Sequence, residues 1–238
     1  YSNDHLYNKE LDNETQIRNG GNNAHLLFAM KYDDQPGMTR SIEYGRPFNR
    51  YMPTRYLLDL FDEEKDQRYA GIFRDVWIMN NPSDKEKETF AYPLMKDTAI
   101  YVIKGNATPE QQAWAKKRYQ LLDRNSVYDA STGKTINTKQ YIELCKFQDP
   151  TRAPQGEDRS ERDGFIIRIA EMYLIAAEAG AKIQGEANNA LGYMNTLRQT
   201  RAIEGYENDM KVTLAEIESV DFILDERARE LVGEQIRW

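Results

Sequence analysis

The sequence predicts a mainly α-helical protein with long irregular loops and a few short strands. Apolar residues recur at helical spacing through the last third of the 238-residue chain. Thr108 and Thr213 each begin a capping box, a pattern typical of helix N-termini. Much of the remaining chain is polar and carries Asn, Asp, Gly and Pro turn signals, which favour loops over regular sheet.

The composition excludes several classes of protein. The net charge of −7 argues against nucleic-acid binding as the main role. Apolar runs are only a few residues long, so no transmembrane helix is predicted. The single cysteine, Cys145, excludes an intramolecular disulfide and a multi-cysteine zinc site. Fifteen Tyr and eight Phe residues supply the large side chains that a folded core needs.

Short elements are predicted in the first part of the chain. Residues 1–50 are polar and loop-rich, with a candidate strand at 25–30. An i, i+3, i+4 apolar stripe predicts a helix over 55–62. Extended segments are predicted over 69–79 and 99–103.

The middle of the chain is predicted to hold one helix and a long loop region. The capping box of Thr108, with Pro109 at the first helical position and Gln111 at the third, predicts a helix that runs to about Leu122. Residues 123–164 are polar and rich in turn signals, so we expect loops there.

Three helices are predicted after residue 164. The buried face of the first is predicted to hold Phe165, Ile169, Met172, Tyr173, Ala176, Ala177 and Gly180. A second amphipathic helix starts near Ala187 and ends near Gly205, and a third, long helix runs from Thr213 through Leu231. Small residues on the first helix would let a partner helix approach closely, as in stacked helical hairpins.

Charged clusters are interpreted as structural. The acidic residues Asp59, Asp62, Glu63, Glu64 and Asp66 are expected to form a solvated face, since they lack calcium-loop spacing and a dry cleft for catalysis. Charges among the apolar faces of the last helices are expected to form ion pairs between helices, because an unpaired buried charge is costly. These are Arg168, Glu171, Glu178 and Arg198.

An ordered set of segments resembles the SusD/RagB family. The segments are PTRYLLDLFD at 53–62 with DQRY at 66–69, RIAEMYLIAAEA at 168–179, and ERARELVGEQIRW at 226–238. The resemblance covers about 53–104 and 163–238. It divides a single SusD/RagB-type domain into a polar loop-rich start (1–50), a family segment (51–104), a variable insert (105–162) and a helical family core (163–238).

The resemblance implies a SusD-like fold with tetratricopeptide-like helical hairpins. It also implies a surface-exposed outer-membrane lipoprotein of a Bacteroidetes-type bacterium. Such a protein binds glycans without catalysis or cofactor and sits over a SusC-type TonB-dependent transporter. The N-terminal helical part, with its lipid anchor, is expected to be missing from this chain, and membrane contact is expected only through that anchor.

Aromatic side chains beside polar groups are the candidate ligand contacts. A flat ring binds the apolar face of a sugar, and nearby amides or charges fix its orientation. Trp77 and Trp114 each have two interpretations, a ligand-binding plate or a core residue. The candidates are Trp77, Asn80, Asn81, Trp114, Tyr119, Tyr92 and Tyr128, with Tyr44 and Tyr51 as weaker ones.

Other functions remain open at the level of sequence. A RagB-like member would bind peptides or glycopeptides with similar loop aromatics. A glycoside hydrolase would need two carboxylates that face each other across a cleft, and the sequence shows no such pair. A purely structural helical scaffold would bind only protein.

Overall fold

The structure is a computed structural model that describes residues 24–83, 97–151, 160, 162 and 164–234. The chain divides into two compact units. Unit 1 comprises residues 1–55 and 72–164, and unit 2 comprises residues 56–71 and 165–238.

The described elements are short before residue 164 and longer after it. In chain order they are α1 (Ala24–Leu27), α2 (Arg55–Asp59), α3 (Arg68–Ile72), β1 (Phe73–Arg74), β2 (Val76–Ile78), β3 (Thr98–Val102), α4 (Pro109–Ala115), β4 (Gln120–Leu122), α5 (Arg124–Val127), β5 (Glu143–Leu144), α6 (Ile169–Lys182), α7 (Ala187–Gln199), α8 (Leu214–Ile217) and α9 (Val220–Leu231). Helices therefore predominate among the described elements.

Unit 1 contains two small sheets. Strands β2, β3 and β4 form one sheet in that order, with β2–β3 antiparallel and β3–β4 parallel. Strands β1 and β5 form an antiparallel pair in which Phe73 lies opposite Leu144. Since parallel neighbours need a crossover connection, the chain between β3 and β4 makes one that contains α4. This crossover places α4 beside the three-stranded sheet.

A buried glutamate holds three segments of unit 1 together. Glu143 on β5 is fully buried. One of its carboxylate oxygens accepts a hydrogen bond from the backbone N–H of Met30 at 3.0 Å. The other accepts hydrogen bonds from Arg74 at 3.2 Å and from the side-chain amide of Gln148 at 3.0 Å. These bonds give both carboxylate oxygens a partner, but burial outweighs them and raises the pKa of Glu143 to about 7.

The core of unit 2 lies between α6, α7 and α9. Gly180 of α6 faces Ala190 of α7 so closely that a Cβ atom on Gly180 would lie 3.2 Å from the Cβ of Ala190. The expectation that small residues permit close helix approach is confirmed at this pair. The buried cluster consists of Ala170, Leu174, Ala177, Ala190, Met194, Leu197, Val212, Ile217, Ile223 and Leu231.

A network of ion pairs also occupies unit 2. Arg68 lies 2.7 Å from Glu226 and 3.1 Å from Glu230, and all three side chains are buried. The predicted pairing of the helix charges is confirmed for Arg168, which reaches Glu234 at 2.6 Å. It is also confirmed for Arg198, which pairs with Glu226. Glu171 also lies 3.6 Å from Arg227, whereas Glu178 has no ion pair among the described residues. Three of the four predicted charges therefore have a partner on another element of unit 2.

Several elements differ from the sequence prediction, because contacts with other segments of the chain decide their conformation. The candidate strand at 25–30 overlaps helix α1, which ends at Leu27. The segment predicted as extended over 69–79 begins inside helix α3, but it is confirmed as extended at strands β1 and β2. The helix predicted to reach Leu122 ends at Ala115, since residues 120–122 pair with β3 as strand β4.

The last predicted helix is two helices. Helix α8 ends at Ile217, and Ser219 begins a new helix by accepting a hydrogen bond from the backbone N–H of Phe222. A serine in extended conformation is a favoured N-cap, so it starts α9 in its own right.

The face predicted for the first helix of unit 2 was partly wrong. Ala177 and Gly180 are buried as expected, but Phe165, Ile169 and Met172 are exposed. Leu174 is buried in their place. This helix is apolar on more than one side, so the period of the pattern does not tell which side packs.

Asp66 corrects the interpretation of the acidic set. Asp62, Glu63 and Glu64 are exposed as expected, but Asp66 is buried. Its carboxylate receives hydrogen bonds from the guanidinium of Arg68, the nearest at 2.6 Å. Asp66 therefore belongs to the buried ion pairs of unit 2 and not to the solvated face.

Candidate functional site

Trp114 lies on helix α4 of unit 1 with 60% of its surface exposed. The helix begins at the predicted capping box, in which Thr108 accepts a hydrogen bond from the N–H of Gln111. Ala115 is the buried residue of this seven-residue helix. The other six residues of the helix are exposed, so the large aromatic side chain of Trp114 lies at the surface.

The guanidinium of Arg118 covers one face of the Trp114 ring. Its central carbon lies 3.5 Å from the ring centre, and one of its N–H groups donates a hydrogen bond of 2.8 Å to the backbone carbonyl of Trp114. A cation over an indole is attracted by the negative face of the ring. The contact therefore favours the observed orientation of the ring near the end of the helix.

An acidic side chain stands at the other end of the same helix. Hydrogen bonds from its own backbone N–H and from the hydroxyl of Thr108 lower the pKa of Glu110. The carboxylate is therefore ionised at neutral pH and complements the first turn of the helix.

Two of the predicted contacts are buried. Trp77 has no exposed surface and is the middle residue of the edge strand β2, where it lies opposite Ile100. Tyr128 is also buried, and its hydroxyl donates a hydrogen bond of 2.7 Å to the carbonyl of Pro53. Neither ring can serve as an exposed plate, and the core interpretation applies to Trp77. The weaker candidate Tyr44 is likewise buried, whereas Tyr51 is exposed.

The remaining predicted contacts differ in accessibility. The side-chain NH2 of Asn80 donates a hydrogen bond to the backbone carbonyl of Thr39, and its side-chain oxygen accepts one from the backbone N–H of Thr39. Asn81 is exposed and Tyr119 is half-buried. Tyr92 lies outside the described residues.

Sequence reasoning missed the role of Arg118. Its position four residues after Trp114 was the available signal, since side chains at i and i+4 meet on one side of a helix. The i, i+4 rule predicts the contact but not its exposure, because exposure depends on what packs over the helix.

The described residues offer no metal site and no activated nucleophile. No group of three or more His, Cys, Asp or Glu side chains among them could hold a metal ion. Burial raises the pKa of the Cys145 thiol, which disfavours the reactive thiolate. Within the same residues, no helix is long and apolar enough to cross a membrane.

Comparison with known families identifies the class of protein. The SusD family model, SusD_RagB, matches residues 6–238. This chain therefore belongs to the SusD family, and the match extends well beyond the segments that carried the resemblance. Proteins of this family bind nutrients, carbohydrates among them, at the cell surface, and they are generally not enzymes. They are associated with the outer membrane in general. No curated protein and no solved structure matches the chain.

Proposed function

We propose that this chain binds glycans at the cell surface without catalysis and delivers them to a SusC-type TonB-dependent transporter in the outer membrane. Membership of the SusD family supports the general role. Attachment to the membrane through an N-terminal lipid anchor, and a tetratricopeptide-like packing of the helices, belong to the same proposal.

The exposed ring of Trp114 is the observation that carries the glycan assignment. An indole held by Arg118 offers a flat apolar surface of the kind that packs on the C–H face of a sugar. A hydrated sugar exchanges water hydrogen bonds for protein ones at little net gain, so one such site gives modest affinity. Tyr119 and Asn81, which are not fully buried, are the secondary candidates.

The proposal is tested by isothermal titration of the protein with a panel of soluble plant, host and microbial glycans. New reducing ends are measured in the same samples. We expect saturable heat with one class of glycan and no release of reducing ends. Heat without saturation across the whole panel, or hydrolysis of the bound glycan, would contradict the proposal.

Substitution of Trp114 locates the site. We expect Trp114→Ala to weaken glycan binding about tenfold or more, as removal of a central aromatic anchor does. Trp114→Phe should restore part of the affinity. Ile136→Ala is the matched control, because Ile136 lies in unit 1 and is also 60% exposed. Equal affinity of the Trp114→Ala and Ile136→Ala variants would remove Trp114 from the site.

A peptide or glycopeptide ligand is the alternative within the same family. An exposed indole and neighbouring polar groups also suit a peptide chain. A peptide mixture is therefore titrated alongside the glycans, and heat with peptides only would replace the glycan assignment with this one.

A further inference from the structure

The segment around Trp114 has a charge opposite to that of the whole chain. Residues 104–124 contain five basic and two acidic side chains, a net charge of +3, whereas the chain carries −7. The basic residues are Lys104, Lys116, Lys117, Arg118 and Arg124. An excess of positive charge along an exposed segment attracts anions to the surface near it.

The two acidic side chains of this segment are engaged locally. Asp123 begins helix α5 by accepting hydrogen bonds from the backbone N–H and the hydroxyl of Ser126, at 2.9 and 2.7 Å. Glu110 is held at the start of α4 by its own backbone and by Thr108. Both carboxylates therefore serve as helix-terminal partners.

Two lysines directly after the helix have no such partner. Lys116 and Lys117 are exposed, and no carboxylate among the described residues pairs with either side chain. Lys117 follows Trp114 by three residues, in the turn that ends α4, and Arg118 follows by four. Both lysines therefore lie within three residues of Trp114, and the guanidinium of Arg118 lies on its ring.

We infer that the Trp114 plate takes an anionic glycan, one whose sugars carry uronate or sulfate groups. The inference rests on the glycan-binding function proposed above and names the class of ligand for the same site. The indole would pack on the apolar face of one sugar, while Lys116, Lys117 and Arg118 attract the negative groups of that sugar or its neighbours. Charged contacts of this kind are worth more than neutral hydrogen bonds and discriminate against uncharged chains.

The test compares oligosaccharides that are matched in length and differ in charge. Oligogalacturonide is titrated beside neutral galactan oligosaccharide and sulfated galactan oligosaccharide, and a Glu-rich peptide of equal charge controls for charge alone. We expect at least one anionic oligosaccharide to bind about tenfold or more tightly than the neutral one. That preference should weaken severalfold when NaCl is raised from about 0.05 to about 0.5 M, since salt screens exposed charges.

A pair of double variants tests whether Lys116 and Lys117 cause the preference for anionic oligosaccharides. Lys116→Gln/Lys117→Gln should weaken binding of the anionic oligosaccharide about tenfold and change binding of the neutral one less than about twofold. Lys134→Gln/Lys139→Gln removes the same charge from exposed lysines elsewhere in unit 1 and should leave the preference intact.

The outcomes separate this inference from the proposed function. Equal affinity for neutral and anionic oligosaccharides would overturn the inference and leave glycan binding in place. An anionic preference that survives Lys116→Gln/Lys117→Gln, or equal binding of the Glu-rich peptide, would also overturn it. If no oligosaccharide of any charge binds, the proposed function itself fails.

Discussion

Glu226 is a buried carboxylate of unit 2 that pairs with three arginines, as Glu230 also does. It has no exposed surface, and Arg68, Arg198 and Arg229 all pair with it. Burial alone would raise the pKa of Glu226, but the three guanidinium groups outweigh burial and hold the pKa at about 2. The carboxylate is therefore ionised in the folded protein at every ordinary pH.

Replacing Glu226 should destabilise the protein strongly. Glu226→Gln leaves three arginines without their shared counter-charge, so we expect a loss of about 3–5 kcal/mol in the free energy of unfolding. Urea denaturation followed by circular dichroism measures the loss. The control is Glu218→Gln, a neutralised but exposed glutamate of the same unit, which should change stability by less than about 0.5 kcal/mol. A loss of stability for Glu226→Gln as small as that for Glu218→Gln would show that the network contributes little.

The same residue predicts a dependence of stability on acid. Because the folded pKa of Glu226 lies below its ordinary value of 4.5, its contribution is present above pH 4.5 and is lost as the pH falls towards 2. The stability difference between wild type and Glu226→Gln should shrink by about 2 kcal/mol between pH 5 and pH 3. Urea denaturation of both proteins across this range measures it. A constant difference would mean that Glu226 does not titrate as the pairing requires.

At the scale of elements, the contact between α6 and α7 depends on a glycine. Gly180 lies against Ala190, while Gly192 on α7 has nothing within 4 Å of the place a Cβ would occupy. Both glycines lie inside helices, where alanine is intrinsically preferred by about 1 kcal/mol. An alanine at either position would therefore gain the same helix propensity, but the two positions differ in how closely other atoms pack around them.

A pair of alanine substitutions separates propensity from packing. Gly192→Ala should stabilise the protein by up to about 1 kcal/mol, since only helix propensity changes. Gly180→Ala adds a methyl group 3.2 Å from Ala190, which must shift, so the gain should be cancelled or reversed. Thermal or urea denaturation measures both. If Gly180→Ala stabilised as much as Gly192→Ala, the approach of α6 and α7 would not need a glycine.

Helix α4 shows how an element places a functional side chain. Its start was predictable, because Thr108, Pro109 and Gln111 form a complete local signal. Its end was not, because the pairing of β4 with β3 decides where the helix stops. The short helix that results carries Trp114 at the surface, and Arg118 follows in the turn after it.

At the scale of the whole molecule, family membership and the candidate site rest on different parts of the chain. The segments that carried the resemblance include Arg68 and the run 226–234, whose charges form the buried network of unit 2. Trp114 lies in unit 1, in a stretch that contributed nothing to the resemblance. The family match over residues 6–238 includes both.

The sequence by itself determined the helical character, the capping boxes, the family and the pairing of the helix charges. These depend on local signals or on the cost of unpaired buried charge, and both can be read from residue types and spacing. The tertiary structure decided that Trp77 is core and Trp114 is exposed, and that Asp66 joins the buried charges. Both tryptophans have polar neighbours in sequence, so only the tertiary packing that covers strand β2 and leaves helix α4 at the surface could distinguish them.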